Sequence, residues 1–322
     1  MLEKMRRKIG AIISLMIGCV SILMACTSTN TMESTICEVS ESVLQTVEID
    51  NTSQKESEET IDASTTMEVH FIDVGQGDAT LIKNGDHAML IDAGENNKGT
   101  TIQLYLKKQG VEKLDYLVLT HTDSDHIGGA DVILEKFQVD MVFMGDYEKD
   151  TATYRDVIQA LDYKGLTWSQ PSVGAQYALG DATFTIIAPN DSYNDPNNTS
   201  IGLLLEKGES SFVFTGDAET ESEEDIVENG INIDADVFKS GHHGSKTSSD
   251  EALLDAITPE YAVISCGEGN SYGFPHAKTL NNLRARGVQV FRTDEQGSII
   301  ATTDGKELTW NCAPSETWLV GE

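Results

Sequence analysis

The chain has 322 residues, enough for one large folded domain beyond an atypical N-terminal region. It carries 22 Lys and Arg against 53 Asp and Glu, a net charge of −31 with neutral histidine. The electrostatic field of a protein with this net charge repels polyanions at long range. The composition therefore counts against a processive DNA binder, whose affinity comes from basic side chains that neutralise phosphates.

Residues 1–25 have the organisation of an export signal. Four basic side chains between residues 4 and 8 precede an apolar run of 17 residues, 9–25, and the boundary Leu23-Met24-Ala25-Cys26. This boundary resembles a bacterial lipobox, which implies cleavage before Cys26, diacylation of its thiol and a lipid anchor on the outer face of the bacterial cytoplasmic membrane. An uncleaved membrane anchor is the alternative. Either interpretation predicts an exported protein.

Residues 26–66 form a predicted disordered acidic tether. The segment is rich in Ser, Thr and Glu, so it cannot bury enough apolar surface to offset the chain entropy lost on folding. We expect a single folded domain to span residues 67–322. Of the five cysteines, Cys266 and Cys312 lie in this domain, and the sequence leaves open whether they form a disulfide or remain free thiols.

The domain alternates short β-type runs with helical periods. In chain order we predict strands at 69–72, 79–82 and 88–91, a helix at 100–109, a strand at 114–120, a helix at 127–136, a strand at 141–144, a helix at 154–161, strands at 184–187, 201–206 and 211–215, a helix at 219–228, a strand at 237–238, a helix at 250–257, a strand at 261–265, a helix at 280–286 and terminal strands to about residue 310. Groups of strands with interspersed helices occur in the first half of the domain and again in the second half. This pattern predicts an α/β domain with two sheets between helical layers.

The strongest functional signal lies between a predicted strand and a predicted helix, in the segment Thr120-His121-Thr122-Asp123-Ser124-Asp125-His126. In a turn at the end of a strand, side chains two residues apart can point the same way, so His121 and Asp123 can share one metal ion. Asp125 and His126 lie where the chain bends into the helix and can face a second ion. The alternative interpretation is a polar helix cap with incidental histidines.

Later strand ends supply further candidate ligands, because one loop cannot complete two coordination spheres. Asp217 follows an apolar run and can bridge two ions, although its Thr-Gly-Asp sequence is also an ordinary strand-to-helix turn. His242 and His243 follow another strand, between glycines that let the backbone approach a ligand. The sequence does not decide which of the two is the ligand. His276 is predicted either to contact a ligand or substrate or to begin a helix.

Six motifs occur in order along the domain. They are residues 69–79, Ile91-Asp92-Ala93-Gly94, residues 121–129, Asn197-Asn198-Thr199-Ser200, Thr215-Gly216-Asp217-Ala218 and residues 242–248. Together they resemble the metallo-β-lactamase-fold domain of the ComEC DNA-internalisation (competence) family, from Met67 onward. The resemblance implies an αββα sandwich with metal ions at one edge of the sheets, held by the candidate ligands described above.

Three positions depart from related patterns. Asp123 stands where most metallo-β-lactamase-fold proteins have a second histidine, as it also does in ComEC-like sequences. Asn198 lies where other members supply a further ligand histidine, so we expect the first metal to bind weakly or exchange readily. Phe274 stands where ComEC-like sequences often have histidine.

These features predict an exported hydrolase with two divalent metal ions, Zn²⁺ or Mn²⁺, because three carboxylates beside neutral histidines offset most of the charge of two such ions. A pair of ions activates water and clamps the attacking and leaving oxygens of a phosphoryl group. We predict Asp125 and His243 as catalytic residues. The predicted substrate contacts are Asp78, Asn198, Ser245, Lys246 and His276.

The predicted substrate is a phosphodiester. The resemblance points to single-stranded DNA or a nucleotide, whereas the acidic charge and the lipid tether favour a cell-wall phosphodiester. No stable protein partner is evident. The alternatives are a lactamase-type or lactonase-type hydrolase and a non-catalytic surface protein that binds a ligand on the same fold. A diiron redox role is a more distant alternative.

Overall fold

The computed structural model describes residues 66–321. The predicted export signal, the lipidation site at Cys26 and nearly all of the predicted tether lie outside the described residues. Within residues 66–321, two β-sheets pack face to face between two layers of helices. This αββα arrangement confirms the predicted fold class.

The strands of both sheets follow in chain order. They are β1 (Met67–Phe71), β2 (Thr80–Asn84), β3 (His87–Ile91), β4 (Lys113–Leu119), β5 (Gln138–Met144), β6 (Trp168–Ser169), β7 (Gln176–Leu179), β8 (Ala182–Ala188), β9 (Gly202–Lys207), β10 (Ser210–Phe214), β11 (Val237–Lys239), β12 (Tyr261–Ile264), β13 (Gln289–Arg292), β14 (Ile299–Thr303) and β15 (Leu308–Trp310). One sheet has the order β15-β14-β1-β2-β3-β4-β5-β6, and the other has the order β13-β12-β11-β10-β9-β8-β7. The strands from β3 to β6 are parallel, as are those from β10 to β13.

The helices connect these strands. They are α1 (Gly99–Lys108), α2 (Ser124–Ile127), α3 (Ala130–Lys136), α4 (Ala152–Lys164), α5 (Thr220–Glu228), α6 (Glu251–Ile257), α7 (Ala277–Ala285) and α8 (Thr293–Gln296), with 3₁₀ turns at Asn197–Thr199 and Gly241–Gly244. The single helix predicted over 127–136 is instead two helices that separate at Gly128-Gly129. The backbone there packs against another loop, since a Cβ on Gly128 would lie 2.2 Å from the backbone nitrogen of Asn96.

Alternation along the strands distributes apolar side chains among three core layers. In β4, Leu117 and Leu119 pack toward α1, α3 and α4, whereas Val118 packs between the two sheets. In the second sheet, Phe212 and Phe214 face the first sheet, whereas Val213 packs toward α5 and α6. Successive side chains of a strand point to opposite faces of its sheet, and both faces of each sheet are therefore apolar.

Two further findings concern the described residues. Cys266 is buried, Cys312 is partly exposed, and both are free thiols. Across residues 66–321, every helix is too short or too polar to traverse a bilayer.

Candidate metal centre

The first group of site residues follows β4, which ends at Leu119. Asp92 fixes the start of this turn, because its carboxylate accepts hydrogen bonds from the Thr120 backbone N–H at 2.8 Å and from the Thr120 hydroxyl at 2.8 Å. The chain then enters α2, and the His121 and His126 rings lie 4.1 Å apart between centroids. Both imidazoles are fully buried.

A glycine-rich turn after β1 supports this loop. The Asp78 backbone N–H donates to the Asp125 carbonyl at 3.1 Å. Gly77 has a φ of +119°, and a Cβ there would lie 2.4 Å from the same carbonyl oxygen. This position therefore requires glycine, for both its backbone conformation and its close approach.

The second group follows the parallel strands β10 and β11, whose carboxyl ends lie at the same edge of the sheet. Asp217 comes shortly after β10, and the 3₁₀ turn after β11 carries His242 and His243. Both histidines have left-handed backbones, with φ of 48° and 54°. Such conformations cost roughly 1–3 kcal/mol each and cluster at functional sites.

The two groups meet at one carboxylate oxygen, Oδ2 of Asp217. The Nε2 atoms of four histidines face it, at 3.2 Å for His126, 3.3 Å for His243, 3.7 Å for His242 and 4.0 Å for His121. Oδ2 of Asp125 lies 3.3 Å from Nε2 of His243. The structure thus brings together six of the seven predicted metal ligands, from three separate segments of the chain.

Each of the four imidazoles is held from behind through Nδ1. His126 Nδ1 lies 2.8 Å from Asp92 Oδ2, and His243 Nδ1 lies 3.0 Å from the Ser265 carbonyl. His121 Nδ1 contacts the hydroxyls of Thr120 and Ser200, and His242 Nδ1 contacts Glu219 Oε1 at 3.2 Å. Metal-binding histidines have such outer partners, which fix the ring and leave the other nitrogen for the metal.

The electrostatics of the centre favour a cation. Burial lowers the pKa of His126, but the charges of Asp217 and Asp92 outweigh burial and raise it well above its usual value. The pKa of His243 rises to about 10, because Asp217 and Asp125 outweigh the effect of burial. These carboxylates attract protons to the imidazoles, and they would attract a metal ion in the same way.

Two buried polar atoms of the centre are available to bind such an ion. Within residues 66–321, His121 Nε2 and Asp217 Oδ1 are buried without a hydrogen-bond partner. Burial lowers the pKa of His121 to about 4, with a further contribution from His126. A buried, neutral imidazole beside an unpaired carboxylate oxygen is costly unless it binds something. The donor set therefore fits divalent metal ions.

Asp78 also joins this centre, although we predicted it as a substrate contact. One ligand atom each from Asp78, His126, Asp217 and His243 lies within 4.8 Å of the others. Oδ2 of Asp78, however, accepts a hydrogen bond from Nζ of Lys239 at 2.8 Å, and both side chains are buried. Asp78 thus has an internal cationic partner.

Two predicted residues on the first-metal side are engaged elsewhere. Asp123 forms an ion pair with Lys149, in the loop after β5. The Asn198 amide accepts from the Glu219 backbone N–H at 2.9 Å and donates to Glu221 Oε2 at 3.3 Å.

The remaining predicted substrate contacts lie beside the centre, in and around the loop after His243. The Ser245 hydroxyl is buried and bonds to the Thr247 hydroxyl at 2.9 Å. The Lys246 side chain is exposed, and its backbone N–H donates to Nδ1 of His276 at 3.0 Å. His276 also precedes α7 as its N-cap.

Sequence reasoning gave no role to four residues that contact the site side chains: Asp92, Lys149, Glu219 and Lys239. Two of them have features in the sequence that could have identified them. Asp92 belongs to one of the ordered motifs, and Lys239 is a charged residue inside a buried strand. The other two lie in polar loops, where a carboxylate or ammonium is unremarkable by itself.

The fold and site together define a metal-dependent hydrolase class. The profile of the Metallo-beta-lactamase superfamily matches residues 72–268. The chain belongs to this superfamily.

Individual relatives confirm the resemblance to competence proteins. ComE operon protein 3 from Bacillus subtilis is 34% identical over 254 residues, covering 72% of this chain and 32% of the relative. Competence protein ComA from Neisseria gonorrhoeae is 33% identical over 230 residues, covering 70% and 31%. The chain thus spans about a third of the length of these curated relatives. Among solved structures, the metallo-beta-lactamase fold protein YhfI from Bacillus subtilis aligns with a TM-score of 0.48 at 14% identity, covering 74% of this chain and 100% of YhfI.

Proposed function

We propose that the protein is a phosphodiesterase that acts through two divalent metal ions. The observation that supports this proposal is the convergence of four imidazole Nε2 atoms on one buried carboxylate oxygen of Asp217. One buried oxygen that faces two sets of nitrogen donors is an arrangement that would suit a pair of divalent ions. The resemblance to DNA-internalisation proteins points to the same class of ester.

The candidate ligands divide between two positions. His126, His243 and Asp125 would hold one ion, His121 and His242 would contribute to the other, and Asp217 lies between both sets. Ions bound there would act as Lewis acids on the phosphoryl oxygens and lower the pKa of water. Asp123 would be a third carboxylate ligand beside Asp125 and Asp217. Its present partner, Lys149, would have to move before Asp123 could bind an ion.

Two partly exposed side chains, Asp125 and His242, lie at the open side of the centre. The Asp125 side chain is 24% exposed, and its carboxylate accepts a hydrogen bond from the attacking water and orients it. The His242 side chain is 20% exposed and its Nδ1 contacts Glu219, which leaves Nε2 facing the second ion position. His243 is 1% exposed and serves as a ligand.

The test is a substrate panel on the purified protein supplied with Mn²⁺ or Zn²⁺. The panel contains bis-p-nitrophenyl phosphate, a single-stranded oligonucleotide, a phosphorylcholine ester, a β-lactam and a lactone. We expect turnover of phosphodiesters, and we expect Asp125→Ala or His126→Ala to abolish it with circular dichroism unchanged. Asp131→Ala, in α3, is the matched control.

Three outcomes would contradict this proposal. Diester turnover retained in Asp125→Ala would remove the centre from the reaction. Opening of the β-lactam or lactone without phosphodiester cleavage would favour the alternative hydrolase. A protein that takes up no metal and turns over none of these compounds would favour a ligand-binding role.

A further inference from the structure

A rigid loop forms one wall of the metal centre. This loop, residues 267–276, lies between β12 and α7, and the buried Asn270 fixes its shape. The Asn270 amide donates to the carbonyls of Gly267 at 2.9 Å and Phe274 at 2.7 Å. Its Oδ1 accepts the backbone N–H groups of Tyr272 at 3.2 Å and Phe274 at 3.0 Å. With four hydrogen bonds to one side chain, the loop presents its aromatic residues in a fixed position.

Two aromatic rings of this loop extend outward from the ligand histidines. The buried Phe274 ring lies 5.5 Å from the His242 ring and 6.0 Å from the His243 ring. The Tyr272 ring stacks on Phe274 at 5.3 Å with an interplanar angle of 9°. Tyr272 is 62% exposed. One phenylalanine ring therefore separates an exposed, flat aromatic surface from the metal ligands.

His276, whose ring lies 5.1 Å from the Phe274 ring, connects this surface to two lysines, although the whole chain is strongly acidic. Lys246 is exposed and immediately follows the Ser245 hydroxyl of the site loop. The Nζ of Lys278, at the start of α7, donates to the Lys246 carbonyl at 3.1 Å. The two lysines are thus adjacent, and the imidazole of His276 contacts the same backbone. Ammonium groups here attract phosphate and repel a quaternary ammonium ligand.

We propose that Tyr272 is a specificity-determining residue that stacks on a nucleobase of the substrate, while Lys246 and Lys278 contact a neighbouring phosphate. This proposal rests on the phosphodiesterase function above and names its substrate class as nucleotide esters. Aromatic platforms combined with basic side chains are how proteins hold single-stranded nucleic acid. The net charge of −31 opposes long polyanions, so the site favours short single strands.

The kinetic test compares two esters with the same leaving group. One is thymidine 5′-(p-nitrophenyl phosphate), which carries a base, and the other is methyl p-nitrophenyl phosphate, which carries none. Stacking on one base changes binding by roughly 5- to 150-fold. We expect Tyr272→Ala to lower the ratio of the two kcat/KM values within that range. Tyr272→Trp should preserve the ratio, because a larger ring keeps the flat surface.

The matched control is Tyr163→Ala, which removes another exposed tyrosine, 84% exposed on α4. An unchanged ratio in Tyr272→Ala would overturn the proposal. It would also be overturned if Tyr272→Ala reduced turnover of choline p-nitrophenyl phosphate more than that of the thymidine ester, because the ring would then recognise a cation.

A binding measurement separates failure of this proposal from failure of the proposed function. Fluorescence anisotropy of a labelled hexathymidylate, with the wild-type protein and Ca²⁺ as the only divalent ion, requires no turnover. We expect Tyr272→Ala to weaken binding by a similar factor and Tyr163→Ala to leave it unchanged. If wild-type protein cleaves no diester yet shows this pattern, the phosphodiesterase function fails and the stacking role stands. Equal binding by the wild-type and Tyr272→Ala proteins would overturn the stacking role.

Discussion

The two sides of the metal centre, one containing His126 and His243 and the other His121 and His242, differ in how closely their ligands approach the shared oxygen of Asp217. On the His126 side, His126 and His243 approach Asp217 Oδ2 at 3.2 and 3.3 Å, and both have a strong hydrogen bond behind them. On the His121 side, His242 and His121 approach the same oxygen at 3.7 and 4.0 Å, and the carboxylate of Asp123 is paired with Lys149.

This difference has a physical origin in the partners of each side. The His126 side is backed by groups on buried strands and strand ends, which cannot move without disturbing the sheets. The His121 side depends on a surface lysine and on an asparagine whose amide is already used. We therefore expect the ion on the His126 side to bind tightly and the ion on the His121 side to bind more weakly, in line with the expectation from Asn198.

The largest expected effect comes from the oxygen that both sides share. Asp217→Asn keeps the shape of the side chain but removes the charge that the four imidazoles face. Loss of an outer-shell partner of a metal ligand costs roughly 10- to 100-fold in affinity or activity, and loss of the shared ligand should cost more. Kinetics and metal content by mass spectrometry provide the measurement.

The control for this change is Asp225→Asn, which makes the same substitution on α5, where Asp225 accepts a hydrogen bond from the Tyr193 hydroxyl. If Asp217→Asn still bound two ions per chain with unchanged turnover, the two sides would not share a ligand.

The second largest effect is on folding free energy, and it concerns the buried pair of Asp78 and Lys239 beside the His126 side. Lys239→Met leaves the Asp78 carboxylate buried without its partner, which costs about 3–5 kcal/mol of folding free energy. The double variant Lys239→Met/Asp78→Leu should recover much of that loss. Urea unfolding monitored by circular dichroism measures both values. Equal stability of the wild-type and Lys239→Met proteins would show that the pair contributes no rigidity.

The third effect concerns pH and the loop that follows His242 and His243. Glu223, buried in α5, accepts hydrogen bonds from the backbone N–H groups of Ser249 and Asp250. Burial raises the pKa of Glu223 from 4.5 to about 7. The folded state thus binds more protons than the unfolded state between these values, so this group's stabilisation is complete below pH 4.5 and is lost as the pH rises through 7.

Glu223→Gln should therefore flatten the dependence of unfolding free energy on pH between 4.5 and 7, by about 3 kcal/mol. Urea unfolding at several pH values measures this difference directly. Glu224→Gln, at the exposed neighbouring position on α5, is the control and should follow the wild-type profile. Parallel profiles for the wild-type and Glu223→Gln proteins would contradict the prediction.

The smallest expected effect is on the His121 side. Lys149→Ala frees the Asp123 carboxylate, so the more weakly bound ion should bind about 1.5- to 5-fold more tightly, the range of a partly exposed ion pair. Calorimetric titration with Mn²⁺ separates the two binding steps. Lys136→Ala, which removes an exposed lysine from α3, should leave both steps unchanged. Weaker binding of the ion on the His121 side in Lys149→Ala would mean that the lysine supports that side rather than competing with the ion.

The sequence by itself determined the layers and the first half of the site. Periods of two and 3.6 residues predicted most strands and helices, because side-chain burial repeats along each element. It also placed His121, Asp125 and His126 together, because these residues are close in the chain. The split of α2 from α3 was missed, since it depends on a contact of Gly128 with a different loop.

Only the tertiary structure decided which distant groups meet. The parallel registers of β10, β11 and β12 bring Asp217, His242 and His243 to the edge that carries the other ligands. The same packing pairs Lys239 with Asp78 and stacks Tyr272 beside the centre. Such contacts join residues that local periodicity cannot relate, because their distance is fixed by strand order and sheet packing rather than by spacing along the chain.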